Sequence, residues 1–560
     1  IPLSDILKEI SYKELEGIKI TFINMPLREA ALPNTPPEGP GILAAIVRRY
    51  GGQPSIIDLN GYRVKDKLSE KKGLPNGRHL TYREAEDMIS KHIENVGDQD
   101  IIAFSGKITT LRWQEEVAKM IRRIQPDCFL VTGNGLATEI KGGLFTWIPE
   151  LDAIARSEGD GIILDICKDG KLVKEKGIKK AINSGKLSKG YAGEILNKHR
   201  FIYEGFRPSN LDDIPYAALD LLENDPYGHN VLEDYINTPV WGIAANNSSA
   251  TPFTMKRSLT SVSSRGCPYA CAFCYRGAQG ERNYGMRSCE HIALQIRGYV
   301  DKYDLDFIGF PDDNFAVDKR RIKKMVPVFK EYGLDHVRWG THTRMDEADA
   351  RAYDMAESGC VYIGFGAESA DEHTLTRMQK GGFILKNGLV PTKVNGNTYQ
   401  FPKTMMTAVE TCADAGIHAN CTWIMAYPGE DLVHLKTSVA FILWQQRFWT
   451  KGHQKGTETY ERLRDGVNRA MFTATAYPGT EMWKVVRRDL QKHFDISFDG
   501  MGEPVCDDNF HNYVLELDDA TKILDDKDGN PVNFGDMSMD QFLQAREHID
   551  NDNIEKILEM

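Results

Sequence analysis

The segment SSRGCPYACAFCYRG (263–277) decides the reading of this chain. Its cysteines, Cys267, Cys271 and Cys274, are spaced by four and three positions, which brings three thiolates to one side of a tight turn. Gly266 and Pro268 break regular structure, so the segment is a loop wrapped around a bound group. Soft thiolates select zinc, copper or iron–sulfur. A closed zinc site wants four ligands, usually as two pairs, and the one spare cysteine nearby is Cys289. An iron–sulfur cluster held by three cysteines would leave one iron open to a substrate. The other cysteines lie singly, and ten in 560 residues are too few for a disulfide scaffold.

Around the loop, short apolar runs alternate with amphipathic ones. LTSVSS (259–264), LDFIGF (305–310), HVRWGTH (336–342), VYIGFG (361–366), NCTWIMA (420–426) and MFTATAY (471–477) read as strands with helices between them. Six βα units are too few for a closed eightfold barrel and predict a partial one, with its site at the carboxyl ends of the strands. The aperiodic stretch 381–403 is expected to be a loop inserted near that rim. FILWQQRFW (441–449) reads as a helix packed on the barrel.

An earlier alternation fills the amino-terminal part. IKITFIN (18–24), PSIIDLN (54–60), DIIAFSG (100–106), CFLVTGNG (128–135) and LDAIARSEGD (151–160) predict five strands of an open parallel sheet. Such sheets bind ligands at the carboxyl ends of their strands. Residues 181–250 lose the rhythm and read as a packed linker. The expected domains are 1–180, an α/β sheet domain; 181–250, the linker; 251–480, the partial barrel; and 481–560, an acidic helical segment.

CPYACAFC resembles the CxxxCxΦC motif of radical S-adenosylmethionine (SAM) enzymes, with Phe273 as the aromatic position. The resemblance implies a [4Fe-4S] cluster on Cys267, Cys271 and Cys274 whose open iron chelates SAM. One electron then cleaves SAM to a 5′-deoxyadenosyl radical. Further positions resemble family motifs. In GFPDDNFAVD (309–318), Asp312 and Asp313 are expected at the SAM amine or the substrate. Arg344, just past the third barrel strand, is expected to pair with the SAM carboxylate, and Glu368 with ribose hydroxyls or a polar lining. WIMAYPGE (423–430) and TAYPGT (475–480) resemble the turns after the fifth and sixth strands, with Ala426 where a glycine is common.

An α/β domain ahead of such a barrel resembles the cobalamin-binding domain of the class B, cobalamin-dependent branch. The similar segments are the loop after the first strand (Asn24, Pro26), FSGKITT (Ser105, Thr109), VTGNGLAT (Gly133, Gly135) and RSEGD (Glu158). No DxHxxG motif is present, so cobalamin without a protein histidine ligand is expected. Overall the chain is expected to be α/β: a Rossmann-like cobalamin domain, a partial (β/α)6 radical SAM barrel and a helical tail.

The implied cofactors are the cluster, SAM and cobalamin, and the implied reaction is methylation of an unactivated carbon or phosphorus from methylcobalamin. The alternative within the class is a non-methylating cyclase or rearrangement enzyme. Outside it stands a sensor that does not cleave SAM. A small-molecule or peptide substrate and a flavodoxin- or ferredoxin-type reductant are the expected partners. The net charge of −11 argues against a nucleic-acid substrate. No apolar run approaches a membrane span, and IPLSDILKEI lacks signal-peptide features, so a cytoplasmic, reducing location is expected.

Overall fold

The computed structural model describes residues 12–29, 35–238, 254–275, 283–519 and 522–560. The middle of the proline-rich loop (30–34), the end of the expected linker (239–250), the end of the cysteine segment (276–277) and the amino-terminal decapeptide lie outside the described residues.

The chain divides into two compact units. The first runs to Tyr235 and takes back Ser497–Asp519; the second holds most of the rest.

In the first unit, β1 (Lys19–Asn24), β2 (Gln53–Asp58), β3 (Ile101–Ser105), β4 (Phe129–Gly133) and β5 (Ala153–Arg156) are the five expected strands. Each carries a buried run, such as Ile20–Ile23 in β1 and Ile101–Phe104 in β3, as a sheet covered on both faces requires. Their order is β2-β1-β3-β4-β5, all parallel. Chain direction therefore switches sides between β1 and β3, the place where open sheets hold ligands. Helix Leu111–Ile124 shows how the layers join: Val117, Ala118, Met120 and Ile121 are buried on one face. Each large apolar side chain contributes about 1.5–3 kcal/mol by leaving water.

The linker expectation needs correcting. Residues Tyr191–Ile195 (β6) and Lys198–Glu204 (β7) form a hairpin that extends this sheet, β7 parallel to β5 and β6 antiparallel to β7. Its turn uses Leu196 and Asn197, with φ of 52° and 61°, as a two-residue hairpin loop requires. The boundary expected at 180 thus cuts through the sheet unit. The carboxy-terminal segment is not one piece either, because Phe510 packs on Trp147 of the first unit, ring centroids 5.3 Å apart.

In the second unit, β8 (Ser258–Thr260), β11 (Phe307–Phe310), β12 (Arg338–Thr343), β13 (Cys360–Glu368), β16 (His418–Met425) and β17 (Phe472–Thr473) make a parallel half-barrel sheet in chain order. The six strands match the six expected. Two short strands, β9 (Ser264–Arg265) and β10 (Gly285–Met286), pair beside it. The stretch expected as an aperiodic loop is instead a short helix and an antiparallel hairpin, β14 (Leu389–Val394) with β15 (Asn397–Pro402). Asn395 and Gly396 turn it at φ 50° and 85°. Phe401 anchors the hairpin on Phe441 and Trp444, at 5.2 and 6.3 Å. Those rings belong to helix Leu432–Thr450, so FILWQQRFW packs a helix as expected. Among the described residues no helix is long and apolar enough to cross a membrane.

Candidate active site

The cysteine loop leaves the carboxyl end of β8 and is strapped down by a buried acid. Asp312, just past β11, accepts from Ser263 N at 2.8 Å and from the Ser263 and Ser264 hydroxyls, both at 2.5 Å. Its side chain is fully buried, with Arg321 at 3.8 Å. Burial pushes its carboxyl up, against the pull of Arg321 and the serines. Its oxygens hold the cysteine loop. Asp313 accepts from Gly266 N at 3.1 Å, and its charge reaches Cys274. Gly266 has φ 79°, the turn that starts the cysteine loop.

The loop is then tied to two helical segments. Ala272 N donates to Met378 O at 2.9 Å, and Met482 N donates to Ala272 O at 2.8 Å. Cys267 and Cys274 lie close enough to Cys271 for its charge to raise their thiols. Burial is the larger cause at Cys267, so that thiol stays protonated until a metal displaces the proton. Among the described residues the three sulfurs do not all fall within 4.8 Å of one another. A single zinc ion with Zn–S of about 2.3 Å would draw them to about 3.8 Å. Three soft thiolates on one loop are the donors an iron–sulfur cluster takes. Cys289 sits apart, buried, with its thiol donating to Arg321 O at 3.4 Å.

Arg344 follows β12 at the same rim. Its guanidinium lies over the Tyr269 ring at 3.9 Å, Nη1 is 3.5 Å from Cys271 Sγ, and Nε donates to Asp346 at 2.9 Å. Glu368 ends β13 with φ 65°, in a bulge against β16. Its carboxylate is 3.6 Å from Lys380 Nζ. Burial raises the carboxyl, and Lys380 opposes the rise. Lys380 in turn lies 6.0 Å from the Phe273 ring centroid. Arg344, Glu368, Phe273 and the three cysteines are thus gathered at one edge.

Sequence reasoning missed the network beneath them. Glu347 is 2% exposed and accepts from Tyr269 OH at 2.9 Å, Asn314 Nδ2 at 3.2 Å and Thr343 Oγ1 at 2.6 Å. Asn314 Nδ2 also reaches Cys267 Sγ at 3.9 Å. Nothing in MDEAD (345–349) distinguishes a buried glutamate from a solvated one. The turn after β16 is equally strained and closed. Ala426 has φ 61°, a conformation that costs a non-glycine residue about 1–2 kcal/mol. Glu430, fully buried, caps that turn by accepting from Ala426 N at 2.6 Å.

In the first unit the expected residues all lie at the carboxyl edge of the sheet. Asn24 Nδ2 donates to Asp58 at 2.8 Å, and Asn60 Oδ1 accepts from Leu27 N at 3.0 Å, bracing the loop that holds Pro26. Ser105 Oγ accepts from Asn134 Nδ2 at 2.9 Å. Thr109 lies in the single turn Ile108–Thr110 that follows. Gly133 O accepts from Gly106 N at 3.0 Å, and Gly135 opens helix Gly135–Ile140. Glu158 is held by Arg207 at 2.5 Å. Asn60 and Asn134, which position these loops, were not singled out from sequence.

A loop of three cysteines at the carboxyl rim of a parallel half-barrel defines the class. Residues 261–442 match the sequence profile of the Radical SAM superfamily, and this part of the chain is a radical SAM domain. A protein of Pyrococcus horikoshii named as an uncharacterized methyltransferase is 25% identical over 454 residues, 80% of this chain and 78% of that protein. The fold is that of OxsB, a cobalamin-dependent S-adenosylmethionine radical enzyme, at TM-score 0.59 and 16% identity over 87% of this chain. The chain spans 64% of the length of OxsB. It is also similar to TsrM of Kitasatospora setae, a radical S-adenosylmethionine methyltransferase, at TM-score 0.54 and 12% identity, over 85% of this chain and 77% of that one.

Proposed function

We propose that this protein is a cobalamin-dependent radical SAM methyltransferase acting on an unactivated carbon or phosphorus of a small molecule or peptide. One observation carries the reading: a single chain joins a three-cysteine loop on a parallel half-barrel to a sheet whose carboxyl edge offers small and amide-bearing residues at its switch point. The methyltransferase names of the Pyrococcus relative and of TsrM favour methylation over cyclisation.

In this reading Cys267, Cys271 and Cys274 hold a [4Fe-4S] cluster, which supplies the electron that cleaves SAM while cobalamin carries the methyl group. Asp312 and Asp313 hold the loop in register. Arg344, already charged and stacked, offers two N–H donors to a carboxylate. Glu368 and Lys380 line the rim with paired charges. Asn24, Pro26, Ser105, Thr109, Gly133, Gly135 and Glu158 border the cobalamin face. A one-electron donor of flavodoxin or ferredoxin type completes the system, in a reducing, cytoplasmic setting.

The test is anaerobic turnover of reconstituted protein with SAM, cobalamin and a reductant. S-Adenosylhomocysteine together with 5′-deoxyadenosine supports methylation. Deoxyadenosine alone supports the cyclase or rearrangement reading. No cleavage of SAM supports a sensor.

A further inference from the structure

A second donor cluster sits on the same unit, away from the cysteines. Asp371, His373 and His434 present a carboxylate oxygen and two imidazole nitrogens within 4.8 Å of one another. The imidazoles are stacked, centroids 4.5 Å apart and 16° from parallel. His373 is exposed; the other two are half-buried.

The backbone that carries these donors is held by buried hydrogen bonds. Ala370 N donates to Ser438 Oγ at 3.0 Å, and the Ser369 and Ser438 hydroxyls lie 3.1 Å apart. Both serines are 1% exposed or less. This joins the loop after β13 to helix Leu432–Thr450, so Asp371 and His434 cannot drift apart.

One donor is also oriented from behind. Asp431 Oδ1 lies 2.8 Å from His434 Nδ1. Asp431 N also donates to His434 Nδ1 at 3.2 Å, so Asp431 holds the imidazole by its Nδ1 edge and leaves Nε2 for an ion. A carboxylate behind a ligating histidine is the usual second support of a metal site. Asp371 spends Oδ2 on Thr374, N at 2.9 Å and Oγ1 at 3.1 Å, and keeps Oδ1 for a cation.

We propose that Asp371, His373 and His434 form a metal site that takes one divalent first-row transition ion. Two nitrogens and one carboxylate suit zinc or iron(II), whereas calcium and magnesium want oxygen alone. Three protein ligands leave a position for water. Closing the donors to about 3.4 Å, as metal–nitrogen bonds of about 2.1 Å require, takes side-chain rotation of about an ångström, which the exposed His373 can make. The ion would tie helix Glu372–Arg377 to helix Leu432–Thr450. The far end of the first helix meets the cysteine loop through the Met378–Ala272 hydrogen bond.

The test is cobalt(II) titration of the full chain with its iron–sulfur cluster assembled and loose metal removed by a chelator. One equivalent with nitrogen–oxygen d–d bands and no thiolate charge transfer is expected. His373→Ala and His434→Gln should each weaken binding at least tenfold at unchanged iron content. Asp431→Asn should weaken it about 10–100-fold. No cobalt bound, thiolate bands alone, or binding unchanged in His373→Ala would overturn the proposal. If His434→Gln does not fold, the exposed His373 decides by itself.

Discussion

The Arg344 guanidinium rests on the Tyr269 ring, 3.9 Å from its centroid, and that stacking fixes a cation beside Cys271. Lysine keeps the charge but loses the planar fork and the stack. Arg344→Lys should therefore keep its iron and lose SAM affinity about 10–100-fold, the worth of a charged hydrogen bond or two. Equilibrium dialysis with labelled SAM against iron content reads both. Unchanged affinity would remove Arg344 from the SAM site.

Asp312 and Asp313 are adjacent but do different work. Asp312 is buried against Arg321 and two serines. Asp312→Ala strands a buried arginine and should cost about 3–5 kcal/mol of stability. Asp313→Ala should cost much less. Chemical denaturation followed by tryptophan fluorescence separates the two. Equal losses would refute this division.

Each of Cys267→Ala, Cys271→Ala and Cys274→Ala should lose most of the reconstituted iron, while Cys289→Ala should keep it. Iron and sulfide analysis after anaerobic reconstitution decides. Full iron in any of the first three would displace that cysteine from the ligand set.

Burial pushes the Glu430 carboxyl up to about 8, from an ordinary 4.5. The folded state keeps this proton and the unfolded chain releases it. The stabilisation is therefore complete below pH 4.5 and is lost as pH rises towards 8. At about 1.4 kcal/mol per pKa unit, the effect is on the order of a few kcal/mol. Glu430→Gln, which cannot ionise, should grow more stable relative to the native protein across that window. A difference in unfolding midpoint that stays flat with pH would contradict this.

Much of the barrel could be read because its strands are apolar runs at regular intervals, such as LDFIGF (305–310) and NCTWIMA (420–426). The cysteine rim was legible because glycine, proline and three thiols in nine residues leave few structural options. Two hairpins were missed for opposite reasons. Val394-Asn395-Gly396-Asn397 carries a plain turn signal inside a stretch too polar to read as strands. Leu196-Asn197 lacks the glycine such a turn favours, so YAGEILNKHRFIYE (191–204) passed for linker. Buried polar roles stayed hidden, since Asp312 and Glu347 differ from surface acids only in which distant elements fold over them. Exposure of a cysteine or an aspartate is a tertiary property, and no local pattern encodes it.

The hairpin tip at Asn395–Gly396 is exposed on the outer helical layer, the hairpin held there by Phe401 and its two aromatic neighbours and by Arg447 donating to Asn395. Exposed tips of this kind accept inserted sequence with little penalty. A fluorescent reporter or an affinity peptide grafted there would leave the barrel staves and both ligand-bearing rims untouched. It offers a handle for immobilising the intact protein under an oxygen-free atmosphere.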